Sequence, residues 1–506
     1  MLFIIPAYID HLPLTKNLMN NTSNPKRWSF IRSLNRKMTQ PHRFFLAYGL
    51  VWSMAMALYN PPNQVPDEIM HLVRIWQLTT PGLESAVIDN LIGVSLPVAL
   101  YHYSTTSYWI PYTEQHLTRE RYRKISGMYA DENKRMHLHH SGTVRNPASN
   151  YLPQVIGVWL GRTMNLSIRY CVYLGRLFSA VFWVVLVYAA IRLMPFRRWL
   201  LVFLALLPMS VHQAASLSAD AMINGLAFLW VGGVLHVAYA PTSRLDWRTA
   251  LFLALVAGLL CMGKGVYAPL TGLLLLIPPG KASSLGRYFS MIGSVMAIVL
   301  ACIYWNASYV KGIFDQVDPI EELYTGRLAP GSTPQMPQIN PKKQTDWVFA
   351  DIPRFLKVVS QTFYEERNHV FQSYVGKFGW LNVRLPQWYY GTTLLFSLWV
   401  LATGGGDSFD RAWRGRAWMV VLLLITLLVF SFFMYLTWNN PGSHYMMGLQ
   451  GRYFIPLGPI FIMALRQPLY SISTRFEHIP YILFALLSGV VSLREIWYAY
   501  YYPHVF

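Results

Sequence analysis

Cysteine is nearly absent: Cys171, Cys261 and Cys302 are the only three in 506 residues. All lie in apolar segments without a C-x-x-C or other metal-ligand spacing, which argues against a disulfide framework and a zinc site. Charge is scarce as well, at 13% of residues against 54% hydrophobic, too little for an ordinary soluble protein of this length. Acid is the scarcer sign, 23 Asp and Glu to 42 Lys and Arg, for a formal charge of +19. That excess would suit nucleic acid, yet the basic residues punctuate apolar segments instead of forming one soluble patch, so no nucleic-acid partner is expected. A cleavable signal peptide is not evident either, because Met1 to Ile9 lacks a basic n-region and runs into a polar, basic tract. No internal repeat and no low-complexity tract is visible.

What the chain does have is apolar spans. Windows of about 20 residues predict about eleven transmembrane helices, near 44–60, 169–193, 199–214, 220–239, 248–262, 265–279, 288–305, 388–403, 417–436, 453–467 and 480–498. Segment 151–164 is short and reads as a further or a re-entrant helix. The Lys/Arg bias of the loops sets the orientation. Lys16, Lys26, Arg27, Arg32, Arg36, Lys37 and Arg43 precede the first span, placing the N-terminus in the cytoplasm. With alternating helices, the loops carrying Arg192, Arg197 and Arg198; Arg244 and Arg248; Lys281 and Arg287; Arg411, Arg414 and Arg416; and Arg466 and Arg475 fall on that same side. The C-terminal Trp497, Tyr498, Tyr500, Tyr501 and Tyr502 then read as an aromatic interface belt on the far side.

This divides the chain into a basic N-terminal segment (1–43), a first transmembrane helix (44–60), a first outer loop (61–150), a transmembrane core (151–305), a second outer loop (306–387) and C-terminal transmembrane helices (388–506). The aromatic content of both loops marks them as ordered. The second has Pro330, Pro334, Pro337 and Pro341, then an amphipathic segment near 346–374.

The stretch from Asn60 to Arg74 organises the rest. Pro66 suits the first position of a helix, and Asp67 and Glu68 would then fall in its first turn, where the helix dipole favours negative charge. His71 and Arg74 follow at three- and four-residue spacings, so all four can share one face. Taken alone, the two carboxylates are better explained as helix caps, and the rest of the chain has to shift that reading.

Other polar groups collect at the same outer end: His212, Gln213 and Asp220 between the third and fourth spans, Lys264 between the fifth and sixth, and Gln450, Arg452 and Tyr453 at the start of the tenth. Ionisable groups at membrane depth are costly and are usually functional or paired. Each has a plainer reading: Lys264 snorkels, Arg452 anchors to headgroups, Asp220 caps a helix, His212 is a satisfied loop histidine. Their common sidedness is harder to explain, since anchors belong on both faces. His137, His139 and His140 have the chemistry of metal ligands, with a solvated loop the plainer reading.

These blocks resemble a known family. Val65-Pro66-Asp67-Glu68 with His71 and Arg74; Leu207-Pro208-Met209 with Gln213, Ser216, Ser218 and Asp220; Lys264 ahead of Tyr267 and Pro269; Gly376-Lys377-Phe378-Gly379-Trp380-Leu381; and Gln450-Gly451-Arg452-Tyr453-Phe454-Ile455-Pro456 are similar, in order, to bacterial polytopic membrane proteins formerly of unknown function. That family looks like a branch of the GT-C glycosyltransferases. The resemblance implies an all-α, GT-C-like bundle in the bacterial inner membrane, with both long loops forming a small periplasmic layer. It implies a polyprenyl-phosphate-linked sugar as donor and an acidic catalytic residue in the first outer loop, here Asp67, with Glu68 the fallback. The acceptor would be an envelope glycan, lipid or protein.

In such a transfer a base takes the acceptor proton, and cations stabilise the leaving phosphate. Asp67 is the candidate base, with Glu68 and His71 beside it. Lys264, Arg452 and Arg74 are candidates for holding the phosphate; His212, Gln213, Asp220, Gln450 and Tyr453 would support them. A divalent cation, Mg or Mn, is a candidate cofactor only through Asp67, Glu68 and His71. The competing functions are a transporter or flippase of a lipid-linked or anionic envelope precursor, and a non-catalytic scaffold or receptor. A ligase or polymerase moving whole glycans is a close relative of the main reading.

Overall fold

In the computed structural model the described residues are 39–88, 91–108, 118–139, 141–315, 340–404, 413–466, 470–471 and 476–501. Lys16, Lys26, Arg27, Arg32, Arg36, Lys37, His140, Pro330, Pro334, Pro337, Arg411, Arg475 and Tyr502, all used in reading the sequence, lie outside them.

Five described helices are long and apolar enough to cross a membrane: Ile168–Leu193, Asp220–Tyr239, Leu285–Ile313, Trp413–Trp438 and His478–Tyr500. The chain is an all-α membrane protein, and the small sheets among the described residues lie in its connections. Asp220–Tyr239 is buried along nearly all its length and forms the centre of the bundle, whereas Leu285–Ile313 is mostly uncovered and lies at its edge.

The other apolar segments are shorter or interrupted, which separates five uninterrupted helices from the eleven spans expected. The 199–214 span is two helices, Arg198–Ala205 and Pro208–Ala214, divided where Pro208 lacks the N–H needed to continue the ladder. Trp247–Gly263 stops at Lys264, and Gly265–Leu276 continues as a 12-residue 3-10 helix containing Pro269. A rise of about 2.0 Å per residue carries such a segment roughly 24 Å, further than an α-helix of equal length. The tenth span begins as the 3-10 helix Gly451–Leu457 and becomes α-helical over Gly458–Leu465. The first is helical in pieces, with a π-turn at Phe45–Gly49 before Leu50–Tyr59. Segment 151–164 becomes the helix Leu152–Thr163, set against Ile168–Leu193 so closely that a Cβ on Gly157 would stand 2.5 Å from the Leu174 carbonyl oxygen.

Both long connections are structured where described. The first carries helix Glu68–Leu78 and a three-stranded antiparallel sheet of Ala86–Ile88, Leu91–Pro97 and Arg135–His139, an element the sequence reading missed. His137 and His139 therefore stand in a strand, opposite Ser95 and Gly93, and not in a solvated loop. The amphipathic stretch of the second forms helices Pro341–Ala350, Ile352–Glu365 and Arg367–Val375. The aromatic C-terminus is partly an internal stack: Trp497 and Tyr501 pack on Tyr59, Tyr501 donates to the Tyr59 carbonyl at 2.7 Å, and Tyr500 is buried.

Candidate functional site

Adjacent carboxylates in the first connection go to different places. Helix Glu68–Leu78 begins two residues later than expected, so Pro66 is outside it and Asp67 is its N-cap, with φ 64° and ψ 6°. Asp is one of the few side chains that tolerate this left-handed region, at a modest cost in strain. The kink separates the two acids. Asp67 has a 57% exposed side chain, while Glu68 is wholly buried against Arg176, also wholly buried.

The Glu68 pair is bidentate, with Arg176 Nε donating to Oε1 at 2.8 Å and an η nitrogen to Oε2 at 2.5 Å. Arg176 also donates to the carbonyls of Ala57, Asn60 and Pro61, and the Leu217 N–H donates to Glu68 Oε1. Glu68 thus pins the Asn60–Pro66 segment to the membrane helix Ile168–Leu193. Its oxygens are occupied and dry, which removes it as an alternative base.

Asp67 meets Arg452, 385 residues away in sequence, at 3.2 Å. Arg452 is 3% exposed at its side chain, which rules out the headgroup-anchor reading. Gln450 Oε1 accepts from its Nε at 2.7 Å, and the Tyr453 hydroxyl lies 3.4 Å from an η nitrogen. Gly451 is required here: a Cβ would stand 1.9 Å from the Val370 carbonyl oxygen of helix Arg367–Val375. That close approach fixes where the next residue, Arg452, emerges.

A second ion pair stands alongside. Asp220, the first residue of the central helix, binds the Lys264 ammonium, which sits at the break between Gly263 and Gly265. Asp220 is therefore more than a cap, and Lys264 more than a snorkelling chain. Tyr453 joins the pairs: its ring centroid is 5.3 Å from Lys264 Nζ and 5.2 Å from Arg452 Cζ, within cation–π range of both. The Tyr267 hydroxyl holds the Tyr453 carbonyl at 2.7 Å.

His71 lies in the field of all four charges. Burial pushes its imidazole below the ordinary value of 6.5; Arg452 and Lys264 act in the same direction, and Asp67 and Asp220 oppose it. Its Nδ1 is 2.7 Å from the Tyr151 hydroxyl.

The remaining candidates stand further off. His212 and Gln213 are buried in helix Pro208–Ala214, where His212 packs on Phe378 with ring centroids 4.9 Å apart and its Nε2 has no partner. His212 is thus neither in a loop nor satisfied. Among the described residues, the Gln213 side-chain nitrogen meets only the Met209 sulfur. Arg74 is not brought to the phosphate candidates: it donates to Gln77 Oε1 at 2.7 Å and lies 3.4 Å from the Tyr309 hydroxyl. The set Asp67, Glu68 and His71 falls apart as a metal cage because Glu68 turns to Arg176. Among the described residues no group of three or more His, Cys, Asp or Glu has the geometry to hold a metal ion.

Sequence reading missed Arg176, Tyr151 and Asn146. Arg176 left a signal, a guanidinium well inside an apolar span, which needs a buried anion. Tyr151 and Asn146 left none, being ordinary polar residues of a connection.

Fold and site together define a helical membrane protein with two ion pairs, from four separate parts of the chain, gathered in one cluster. The chain belongs to the family described as predicted membrane protein (DUF2142), whose family model matches residues 50–461. No curated protein and no solved structure matches it.

Proposed function

We propose that this protein is a membrane glycosyltransferase of GT-C type, moving a sugar from a polyprenyl-phosphate donor to an envelope acceptor on the periplasmic side of the bacterial inner membrane. The observation that carries this is the double ion pair. Arg452 and Lys264 flank one aromatic ring, and each is neutralised by a carboxylate from a distant part of the chain.

A buried guanidinium beside a partly exposed ammonium suits a phosphate that arrives attached to a lipid. Its oxygens would replace the carboxylates, with Arg452 offering a planar fork and Lys264 a point charge. As phosphate takes the Arg452 N–H groups, Asp67 is released as a free carboxylate at the exposed edge of the cluster. The acceptor hydroxyl oxygen then bonds to the anomeric carbon, the bond from that carbon to the phosphate oxygen breaks, and Asp67 takes the hydroxyl proton. The leaving polyprenyl phosphate keeps the electron pair, and the two cations stabilise its charge.

A transporter of the same lipid is the second reading, favoured by the helix breaks at Lys264 and at Gly451–Leu457 beside the cluster, since discontinuous helices often form transport sites. Purified protein in lipid nanodiscs, incubated with a panel of polyprenyl-phosphate sugars and envelope extracts, separates the two. Consumption of one donor with release of polyprenyl phosphate is expected. Donor movement across proteoliposomes without cleavage would replace the enzyme by the transporter.

A further inference from the structure

The hydrogen bonds behind His71 determine which ring nitrogen carries its proton. Thr143 donates to the Met70 carbonyl at 3.2 Å, tying the 143–151 connection to helix Glu68–Leu78 and bringing Asn146 and Tyr151 behind the imidazole. The Asn146 amide nitrogen donates to the Tyr151 hydroxyl oxygen at 3.0 Å, and that oxygen is 2.7 Å from His71 Nδ1. Tyr151 is wholly buried.

Two arrangements are open to the 2.7 Å contact. If Nδ1 carried the proton, the phenol oxygen would accept from both neighbours and its own O–H would be left in a dry interior without an acceptor, at the cost of an unmade hydrogen bond. If the phenol donates to Nδ1, both hydrogen bonds of the chain Asn146 to Tyr151 to His71 are made and the phenol O–H has its acceptor. Buried polar groups take the satisfied arrangement. Nδ1 is then an acceptor and the proton of the neutral ring sits on Nε2, which has no hydrogen-bond partner among the described residues. The groups facing this ring are Asp67 from the preceding turn, Asp220 from the central helix, Lys264, Arg452 and the Tyr151 phenol.

We propose that Asn146 and Tyr151 are positioning residues that lock His71 as its Nε2–H tautomer, making it a neutral hydrogen-bond donor aimed at an oxygen of the bound ligand. This rests on the glycosyl-transfer reading only for the ligand, a phosphate or sugar oxygen. A donor without charge suits this cluster: it adds a directed N–H beside Arg452 and Lys264 without a third cation to repel them. It also separates the roles of the two nearest candidates, Asp67 accepting a proton and His71 donating a hydrogen bond.

The test is nitrogen NMR of histidine-labelled, full-length protein in bilayers at neutral pH, with the His71 signals identified by their loss in His71→Gln. A neutral ring protonated at Nε2 is expected, with the proton shifting toward Nδ1 in Tyr151→Phe. A ring protonated at Nδ1 or at both nitrogens in the wild type, or a tautomer indifferent to Tyr151→Phe, overturns the proposal. Rates give a second readout. Gln presents its amide N–H near the Nε2 position and should keep about a tenth of the rate or more, whereas Asn reaches only the Nδ1 position and should lose about 10² to 10³. Equal rates in both variants would overturn the donor role. If the wild type turns over no donor while the tautomer responds as stated, the lock stands and the transfer reading fails.

Discussion

Replacing Arg176 by Met should unfold this protein more readily than any change at the exposed charges, and the structure gives the size of the effect. The guanidinium binds both Glu68 oxygens and the carbonyls of Ala57, Asn60 and Pro61, all without contact to water. Its removal leaves a buried carboxylate with only the Leu217 N–H. Breaking a buried pair from one side costs about 3–5 kcal/mol, because the surviving charge stays in a dry site. Removing both charges, as in Glu68→Met with Arg176→Met, should cost less than the two single changes added together, with a coupling energy of order 1–3 kcal/mol. The residual loss reflects the Ala57 and Asn60 carbonyls, which lose the Arg176 donor, while the Pro61 carbonyl keeps the Gln64 N–H at 3.3 Å. Unfolding free energies from denaturant titration in mixed micelles, for wild type, both single variants and the double variant, measure this directly. Single variants within about 0.5 kcal/mol of wild type, the range of an unremarkable surface change, would refute a structural role for the pair.

Asp67→Asn should leave stability almost unchanged, because Asn also tolerates the left-handed backbone and the side chain is 57% exposed, while transfer falls by about 10² to 10⁴. Single-turnover rates beside a melting curve check both halves. Gly451→Ala should cost about 1–3 kcal/mol, since its Cβ would meet the Val370 carbonyl oxygen at 1.9 Å and helix Arg367–Val375 would have to move; the micelle titration detects it. The pH dependence follows from His71. Its folded imidazole stays neutral where the unfolded one binds a proton, so its share of stability is complete above 6.5 and is lost as pH falls below that value. Stability measured from pH 7.5 to 5 should therefore fall less steeply in His71→Gln than in the wild type; identical slopes would contradict the burial of a neutral ring.

The charged cluster was legible from sequence because desolvation is expensive. Asp220, Lys264 and Arg452 each interrupt apolar surroundings, and a charge so placed needs a partner or a purpose. Their shared sidedness, with Asp67 at the exit of the first span, pointed to one meeting place. Glu68 was misread for a geometric reason. Helical spacing places residues 67, 68 and 71 on one face only if all are helical, and the left-handed backbone at Asp67 turns that carboxylate toward Arg452 while Glu68 goes inward to Arg176. The count of spans failed similarly. Hydropathy sums apolar side chains and is blind to the missing N–H of Pro208, which divides one long apolar run, and to the changes of helix type at Lys264 and at the Gly451–Leu457 turn. Those interruptions place Lys264 and Arg452 at helix ends. The strand Arg135–His139 was hidden because its five residues are mostly basic and half-buried, giving little apolar alternation to read.

The central claim is that Asp67 and Asp220 stand in for a lipid-borne phosphate on Arg452 and Lys264. Equilibrium binding of a short-chain polyprenyl phosphate in nanodiscs tests this, comparing wild type with Lys264→Ala, Arg452→Ala, Asp67→Asn and Asp220→Asn. Removing either cation should weaken binding at least about tenfold, the loss of one charge-assisted contact. Removing either carboxylate should leave binding equal or tighter, because a competitor for the cation is gone. Equal binding by all four variants, or loss of binding on removing a carboxylate alone, would contradict it.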